Sequence, residues 1–408
     1  MFNDNNSNPI ITLCSFIENT AGNVGGGLFN GVNASPILLS CDFTSNSCTN
    51  GGGGVFNVQN TSTYANCTFT SNTTTSGSGG GMFNEETNAI LTKCVFKDNS
   101  SAVFGGGIYN LVSSPTLLNC SIIDNVCDNG GGVFNNNGSN PTLTNCIVTN
   151  NIGTSQGGGI SNGVSSPILI NCTVSNNVSS LGGGIYNSVG AASVLSNCIV
   201  WGNGTSFNNI NAVVTYSIVQ GATVYTGTGN SNSDPLFIDA SDPDGVDDLI
   251  GTTDDGIRVE SSSPGAGTGD PAVTSPTTDI TGAARGTAPF DMGVYTAMGV
   301  IPSVFAIGMN EYTTLELAIV AAGASGTITM LDDYIQSADI EIPDGITLQV
   351  SDGHILTVTG TLTNNGTITN QSTLNHASSS FVNNGIYSGG GVFMGNFQNN
   401  GTISISQN

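Results

Sequence analysis

Charge is scarce in this sequence, and positive charge is almost missing. Only 8% of the 408 residues are charged, and the four cations Lys93, Lys97, Arg258 and Arg285 face 28 acids, for a net charge of −24. An ordinary globular protein has about 25% charged residues. Nucleic acids and anionic membrane surfaces are bound by clustered Lys and Arg, so the composition excludes both. Neutral glycans, divalent cations and other proteins remain as partners.

The chain also lacks any hydrophobic run of the roughly 20 residues that a membrane helix needs, which argues against membrane insertion. No signal peptide is visible. The first residues, Met1-Phe2-Asn3, match Met82-Phe83-Asn84 inside a later repeat. We therefore expect a fragment of a longer secreted or cell-surface protein, with a cytosolic protein as the alternative.

What the chain has in abundance is a repeat, which cysteine marks at intervals of 26 or 27 residues. An apolar residue lies three positions before each marker cysteine, another lies two positions after it, and Asn lies five positions after it. Glycine runs followed by an apolar residue fill the space between the markers. The eight marker cysteines are Cys14, Cys41, Cys67, Cys94, Cys120, Cys146, Cys172 and Cys198.

This period is too short for helical repeats, and the apolar runs are short and β-like, with Gly, Pro and Asn between them. Three short strands and three turns in each repeat predict one coil of a parallel β-helix, whose stacked coils lie about 4.8 Å apart. The Cys, Leu and Phe or Val positions are then inward ladders, and the Asn before several cysteines suits a left-handed bend. We expect the cysteines to be reduced core residues; bonding of Cys48 or Cys127 within its own coil is the alternative.

The segments Phe16-Ile17-Glu18-Asn19 and Phe43-Thr44-Ser45-Asn46, with Gly-Gly-Gly-Ile at 105–108, resemble the FxxN and GGxI elements of chlamydial polymorphic outer-membrane proteins. The same coil pattern resembles right-handed parallel β-helix surface proteins of Bacteroidota, the "choice-of-anchor" type. The resemblance covers about half of the chain. It implies a right-handed parallel β-helix with an adhesin or surface-display role.

Composition divides the chain into three parts. Residues 1–233 form the predicted β-helix, truncated at its N-terminus. Residues 234–299 hold a cluster of acids and are expected to form the C-terminal cap and junction. Residues 300–408 predict a second, smaller β-solenoid, itself truncated, with a short N-capping helix at 313–322 that begins near Thr314 and stops at Gly323.

A catalytic site has one weak candidate in this sequence. Asp98 and Asp124 occupy equivalent positions on adjacent coils, with Lys97 beside them. A separation of roughly 5 Å would suit a retaining glycosidase. Acids at turns are more often simply solvated. His354 and His376 lie outside the cysteine repeat and are expected to be turn or surface residues.

The acid cluster is the best candidate for binding an ion. Asp242-Pro243-Asp244-Gly245 resembles a D-x-D-G calcium loop, in which hard oxygen ligands alternate around a glycine turn. The predicted Ca²⁺ ligands are Asp239, Asp242, Asp244, Asp247 and Asp248. A solvated acidic loop is the alternative.

Taken together, the sequence favours a non-enzymatic, extracellular structural or adhesive segment. Its expected partners are glycans, host or abiotic surfaces, or sister subunits. The alternative is a secreted carbohydrate-active β-helix enzyme, which needs a cleft between long loops. The constant repeat spacing up to residue 200 leaves little room for such loops.

Overall fold

The computed structural model describes residues 1–204, 212–286, 288–297, 304–308, 310–312, 314–336 and 338–404. The chain divides into two compact units, Met1–Gly299 and Val300–Asn408. Both are β-solenoids, so the all-β fold class predicted from the repeat is confirmed.

Four parallel sheets run the length of the first unit, and each coil contributes one strand to most of them. Sheet A comprises Phe2–Asn3, Leu28–Asn30, Val55–Val58, Met82–Glu85, Ile108–Leu111, Val133–Asn136, Ile160–Gly163 and Ile185–Asn187. Sheet B comprises Ile10–Thr12, Ile37–Leu39, Thr63–Ala65, Ile90–Thr92, Thr116–Leu118, Thr142–Thr144, Ile168–Ile170, Val194–Ser196 and Val213–Thr215.

Sheet C follows sheet B directly after each marker cysteine, and sheet D follows the turn asparagine. Sheet C comprises Ser15–Ile17, Asp42–Thr44, Thr68–Thr70, Val95–Lys97, Ser121–Ile123, Ile147–Thr149, Thr173–Ser175, Ile199–Trp201 and Ile218–Val219. Sheet D comprises Thr20–Ala21, Ser47–Cys48, Thr73–Thr74, Ser100–Ser101, Val126–Asn129, Ile152–Gln156 and Val178–Leu181. The sequence predicted three strands in a coil, and the short strands of sheet D are the addition.

The bends between sheets B and C are left-handed at every marker cysteine, as the sequence predicted for its asparagines. The residue before the cysteine has a positive φ in all eight coils: Leu13, Ser40, Asn66, Lys93, Asn119, Asn145, Asn171 and Asn197. Asn is the non-glycine residue that adopts this conformation most readily. Leu13 and Lys93 show that the stacked coil imposes the bend even where the side chain does not favour it.

Inside the coil, like side chains stack on like. The rings of Phe43 and Phe69 lie 5.0 Å apart between centroids, and those of Phe69 and Phe96 lie 4.4 Å apart. Beside the aromatic ladder, buried amides form a ladder of their own: Asn125 Nδ2 donates to Asn151 Oδ1 at 2.9 Å, and the same bond links Asn99 to Asn125. These bonds satisfy polar groups that would otherwise be costly inside the core.

The cysteine ladder is part of this core. Nine of the ten cysteines are buried, Cys14 in the first coil is exposed, and all ten are free thiols. Ladder thiols such as Cys120 donate to the carbonyl oxygen of Leu91 in the preceding coil at 3.6 Å. Burial raises the pKa of Cys146 and of Cys198, so these thiols stay protonated and behave as small core residues.

The second unit is a smaller solenoid built from two sheets. Sheet E comprises Asn310–Tyr312, Phe305–Ile307, Gly326–Met330, Ile346–Val350, Thr367–Asn370, Ile386–Ser388 and Thr402–Ser404, the first two strands being antiparallel. Sheet F comprises Tyr334–Gln336, Ile340–Ile342, Ile355–Val358, Leu362–Asn364, Thr373–Asn383 and Val392–Asn399. Its core includes Leu348, Leu362 and Phe381. His376 is buried within strand Thr373–Asn383, so the expectation that it is a turn or surface residue is wrong.

The helix of the second unit spans Leu315–Ala322. Thr313, the first residue of the helix predicted from the sequence, lies outside the described residues. Leu315 and Ala318 are buried against the solenoid core, and Gly323 has a φ of 66° at the C-terminal stop. A left-handed glycine is the usual end of a helix, which explains where this one ends. In the described part of the chain, no helix is long and apolar enough to cross a membrane.

Candidate functional site

The acidic stretch 234–297, here called the flank segment, lies along the outer face of sheet C. Val294 N–H donates to Thr173 Oγ1 at 3.1 Å, and Gly293 N–H donates to Asn197 O at 2.7 Å. Asn145 Nδ2 donates to Thr278 O at 2.8 Å. The segment therefore covers the side of several coils, and the expectation that it caps the end of the solenoid has to be corrected.

Apolar packing holds the flank segment in place. Ile123 and Ile147, which point outward from sheet C, pack with Ile257, Ile280 and Val294 of the segment. A neighbouring cluster joins Ile199 and Ile218 to Val259 and Met292. Their cover explains why these outward residues are apolar, because an apolar side chain on the outer face of a coil is stabilised when another segment buries it.

Both arginines of the protein serve this attachment. Arg285 is buried, and its Nη2 donates to Asn145 Oδ1 at 3.0 Å and to Val294 O at 2.8 Å. Burial lowers the pKa of Arg285, although Asp279 and Asp291 oppose the shift. Because its guanidinium is bonded within the fold, this cation does not offer an anion-binding site at the surface.

The second arginine belongs to a buried cluster. Arg258 lies over the ring of Tyr295, with its Cζ 5.3 Å from the ring centroid. Tyr295 O–H donates to the carboxylate of Asp255, which also accepts from Gly251 N–H at 2.7 Å. Burial raises the pKa of Asp255, while the hydrogen bonds it accepts act in the opposite direction. This cluster anchors the flank segment from within.

Two sites predicted separately from the sequence meet where the flank segment crosses the fourth and fifth coils. Lys97 Nζ lies 3.9 Å from Asp124 Oδ2 and 3.5 Å from Asp244 Oδ2. Burial raises the pKa of Asp124, with the charges of Asp98 and Asp244 adding to the shift and Lys97 opposing it. This meeting could not be predicted from the repeat, because Asp244 lies outside it.

One member of the candidate catalytic pair, Asp124, is thus paired with a lysine within the protein. Asp98 and Asp124 both occupy left-handed turn positions, with φ of 58° and 57°. A lysine beside a carboxyl of raised pKa offers acid–base chemistry. Here, however, the lysine holds an acid of the flank segment against the coil. The geometry therefore describes an electrostatic attachment of the flank segment to the coil.

The predicted calcium loop uses many of its carboxylate oxygens to fold its own backbone. Asp254 Oδ2 accepts from Asp247 N–H at 3.1 Å, Asp247 Oδ1 accepts from Leu249 N–H at 2.8 Å, and Asp239 Oδ1 accepts from Ser241 N–H at 2.9 Å. Partial burial raises the pKa of Asp242, and the charges of neighbouring acids add to the effect. Counter-charge near Asp242 would therefore stabilise the loop.

Three ligand-type side chains come together elsewhere. Among the residues that the structure describes, Asp332, Asp333 and His354 are the group whose ligand atoms all lie within 4.8 Å of one another, so the five acids of the calcium loop are not gathered to that extent. His354 Nδ1 lies 3.9 Å from Asp333 Oδ1, which also accepts from Ile355 N–H at 2.7 Å. Asp332 and Asp333 precede strand Tyr334–Gln336, and His354 precedes strand Ile355–Val358. The pairing of these two strands in sheet F brings the three side chains together.

No family model matches the chain, and no curated protein matches it. Among solved structures, a variant of a PL6 family alginate lyase aligns over 99% of this chain and 76% of its own length, at 9% sequence identity and a TM-score of 0.19. A likeness of that size carries no argument about activity or substrate.

Proposed function

We propose that this chain is a rigid, non-enzymatic structural and adhesive segment of a larger secreted or cell-surface protein. The observation that carries the proposal is the regular stacking of nine coils, held in register by buried amide and aromatic ladders. Such a stack presents long sheet faces of fixed spacing, which suits repeated weak contacts with an extended partner. The partners would be neutral glycans, host or abiotic surfaces, or sister subunits.

The chemistry of the surface supports neutral partners. Arg285 and Arg258 are buried in the attachment of the flank segment, and Lys97 is paired with two acids. Of the lysines and arginines among the described residues, this leaves Lys93 as the one that takes no part in attaching the flank segment. The resemblance of the repeats to β-helix surface proteins of Bacteroidota and to chlamydial polymorphic outer-membrane proteins points the same way.

The acidic loop adds a proposed structural ion. A dozen acids lie between Asp234 and Asp291, accompanied by two arginines. Ca²⁺ held by Asp242, Asp244 and their neighbours would relieve the repulsion that contributes to the raised pKa of Asp242. In this proposal the ion stabilises the flank segment and takes no part in a reaction.

The runner-up is a carbohydrate-active enzyme, favoured by the placement of Asp98, Asp124 and Lys97. Incubating the protein with alginate, pectin and related polymers, and measuring new chain ends, separates the two functions. Turnover that is lost in Asp124→Asn but kept in Asp42→Asn, an exposed acid on the same sheet, would overturn the non-enzymatic proposal. Binding to insoluble glycan without turnover, unchanged in Asp124→Asn, is the result that we expect.

A further inference from the structure

The outer face of sheet B carries no charged side chain on any of its nine strands. The first and third residues of each strand point outward, and their burial patterns alternate accordingly. The first row is Ile10, Ile37, Thr63, Ile90, Thr116, Thr142, Ile168, Val194 and Val213. The second row is Thr12, Leu39, Ala65, Thr92, Leu118, Thr144, Ile170, Ser196 and Thr215. We call these eighteen positions the sheet B face.

Large apolar side chains on this face are open to solvent. Ile10 is 70% exposed, Ile90 is 50% exposed and Val213 is 57% exposed. Ile37 and Ile168 retain 39% and 38% exposure although neighbours flank them within the ladder. Isolated exposed apolar residues are normal, but ten of the eighteen positions on this uncharged face are apolar and the other eight are Thr or Ser. Exposed apolar side chains that cluster on one face mark an interaction surface.

Sheet C provides an internal comparison. Its first three strands, which the flank segment leaves uncovered, carry charge at Asp42, and Lys97 of the fourth strand pairs with Asp244 of that segment. Where the flank segment covers it, the outward positions are neutral and almost fully buried: Ser121, Ile123, Ile147, Thr149, Thr173, Ser175 and Ile199 are at most 3% exposed. This chain thus uses β-branched and hydroxyl side chains on outer faces that protein covers. The sheet B face has a similar composition, and no segment among the described residues of the first unit covers it in that way.

We propose that the sheet B face pairs with the sheet B face of a second copy of this chain. At a net charge of −24, two copies can approach closely only through neutral surfaces. The twelve acids between Asp234 and Asp291 belong to the flank segment on sheet C, which leaves sheet B neutral. A face that meets its own copy across a two-fold axis is the commonest interface in homo-oligomers, and aligned sheets pack face to face through such side chains.

The face is large enough to form the main part of a dimer interface. Nine strands at ~4.8 Å spacing span about 43 Å, and three residues at ~3.3 Å each give a width of about 10 Å, or roughly 430 Å² of flat face. The adjoining turn adds exposed Val112, Val164 and Val189, which brings the patch toward the ~800 Å² that each partner buries in a standard interface. Salt should strengthen the pairing, because it screens the repulsion between the acidic flank segments.

This inference rests on the proposed function in one point, because that function already names sister subunits among its partners. The test is sedimentation of the intact chain over about a hundredfold range of concentration, at low and at high salt. We expect the apparent mass to double as the protein concentration rises, and we expect this doubling to occur at a lower protein concentration in high salt than in low salt. Ile90→Glu with Ile168→Glu should abolish the doubling. The control pair Val126→Glu with Val178→Glu, at exposed outward positions of sheet D, should leave it unchanged.

A cross-link tests the geometry separately from stability. Thr116 is in the fifth of the nine strands, so a two-fold pairing of whole faces brings it next to its own copy. Thr116→Cys in a Cys14→Ser background should form a disulfide-linked dimer on mild oxidation, and Val126→Cys in the same background should not. A protein that stays monomeric, or a dimer that survives both glutamates, overturns the inference. A monomer that still binds glycan or a surface would overturn this inference while leaving the proposed function intact.

Discussion

The buried amide ladder makes a quantitative prediction at Asn125. Its Oδ1 accepts from the Asn99 backbone N–H at 3.0 Å and from Asn99 Nδ2 at 2.9 Å. Its Nδ2 donates to Phe96 O, Ile123 O and Asn151 Oδ1, each at 2.9 Å. Asn125→Ala removes all five contacts from a side chain that is 0% exposed.

The expected loss follows from those contacts. The Asn99 N–H is left buried without its acceptor, which costs about 2 kcal/mol. The other four contacts are weaker, because the same amide hydrogens are shared among several acceptors. At about 0.5 kcal/mol each, these four contacts contribute about 2 kcal/mol more. Asn125→Ala should therefore lower the free energy of unfolding by about 4 kcal/mol, a large share of the total for most proteins.

Urea unfolding followed by far-ultraviolet circular dichroism measures this difference. The matched control is Asn140→Ala, an exposed amide whose Oδ1 accepts one bond, from Ser166 N–H at 2.6 Å. Surface substitutions of this kind change stability by about 0.5 kcal/mol. If Asn125→Ala costs no more than the control, the amide ladder does not stabilise the coil and the reasoning fails.

Four further predictions concern the flank segment and the thiols. Lys97→Met should lower the free energy of unfolding by at most about 1 kcal/mol, because the ion pair is partly exposed. The same substitution should speed proteolysis within the flank segment at low salt, and equal cleavage rates in the two proteins would contradict the attachment. Asp255 has a raised pKa in the folded state, so it destabilises the fold increasingly as pH rises from its unfolded pKa toward the folded value. Asp255→Asn should remove that part of the decline in melting temperature with pH. Ca²⁺ should raise the melting temperature above its value in EDTA, and by more than Mg²⁺ does. Asp242→Asn should reduce this shift. A melting temperature that Ca²⁺ does not change would mean that the acidic loop is solvated and holds no ion. Alkylation of the folded protein should label Cys14 quickly and the buried cysteines only on unfolding, as mass spectrometry would show.

The regular part of the fold could be predicted because each coil repeats the same local rules. The 26- or 27-residue spacing of cysteine fixed the length of a coil, and the apolar residues around each cysteine identified the inward ladders. Asn119 and Asn145 marked left-handed bends that the structure confirms. The asparagine five positions after each marker cysteine, such as Asn125, recurs in every coil and forms the amide ladder. In each case the evidence lay within one coil or its equivalent in the next.

The path of residues 234–297 depended on tertiary structure alone. Lys97 and Asp244 meet although they are far apart in sequence and follow no common period. Ile147 and Ile199 point outward from sheet C, and they are buried only because the flank segment packs over them. The sequence by itself determined that the chain forms a stack of coils and that its scarcity of positive charge disfavours anionic partners. Both follow from composition and local periodicity, which do not depend on tertiary contacts. Which face of the stack is covered, and which acids meet a cation there, only the tertiary structure decided, because both depend on how one long, non-repeating segment packs against many coils at once.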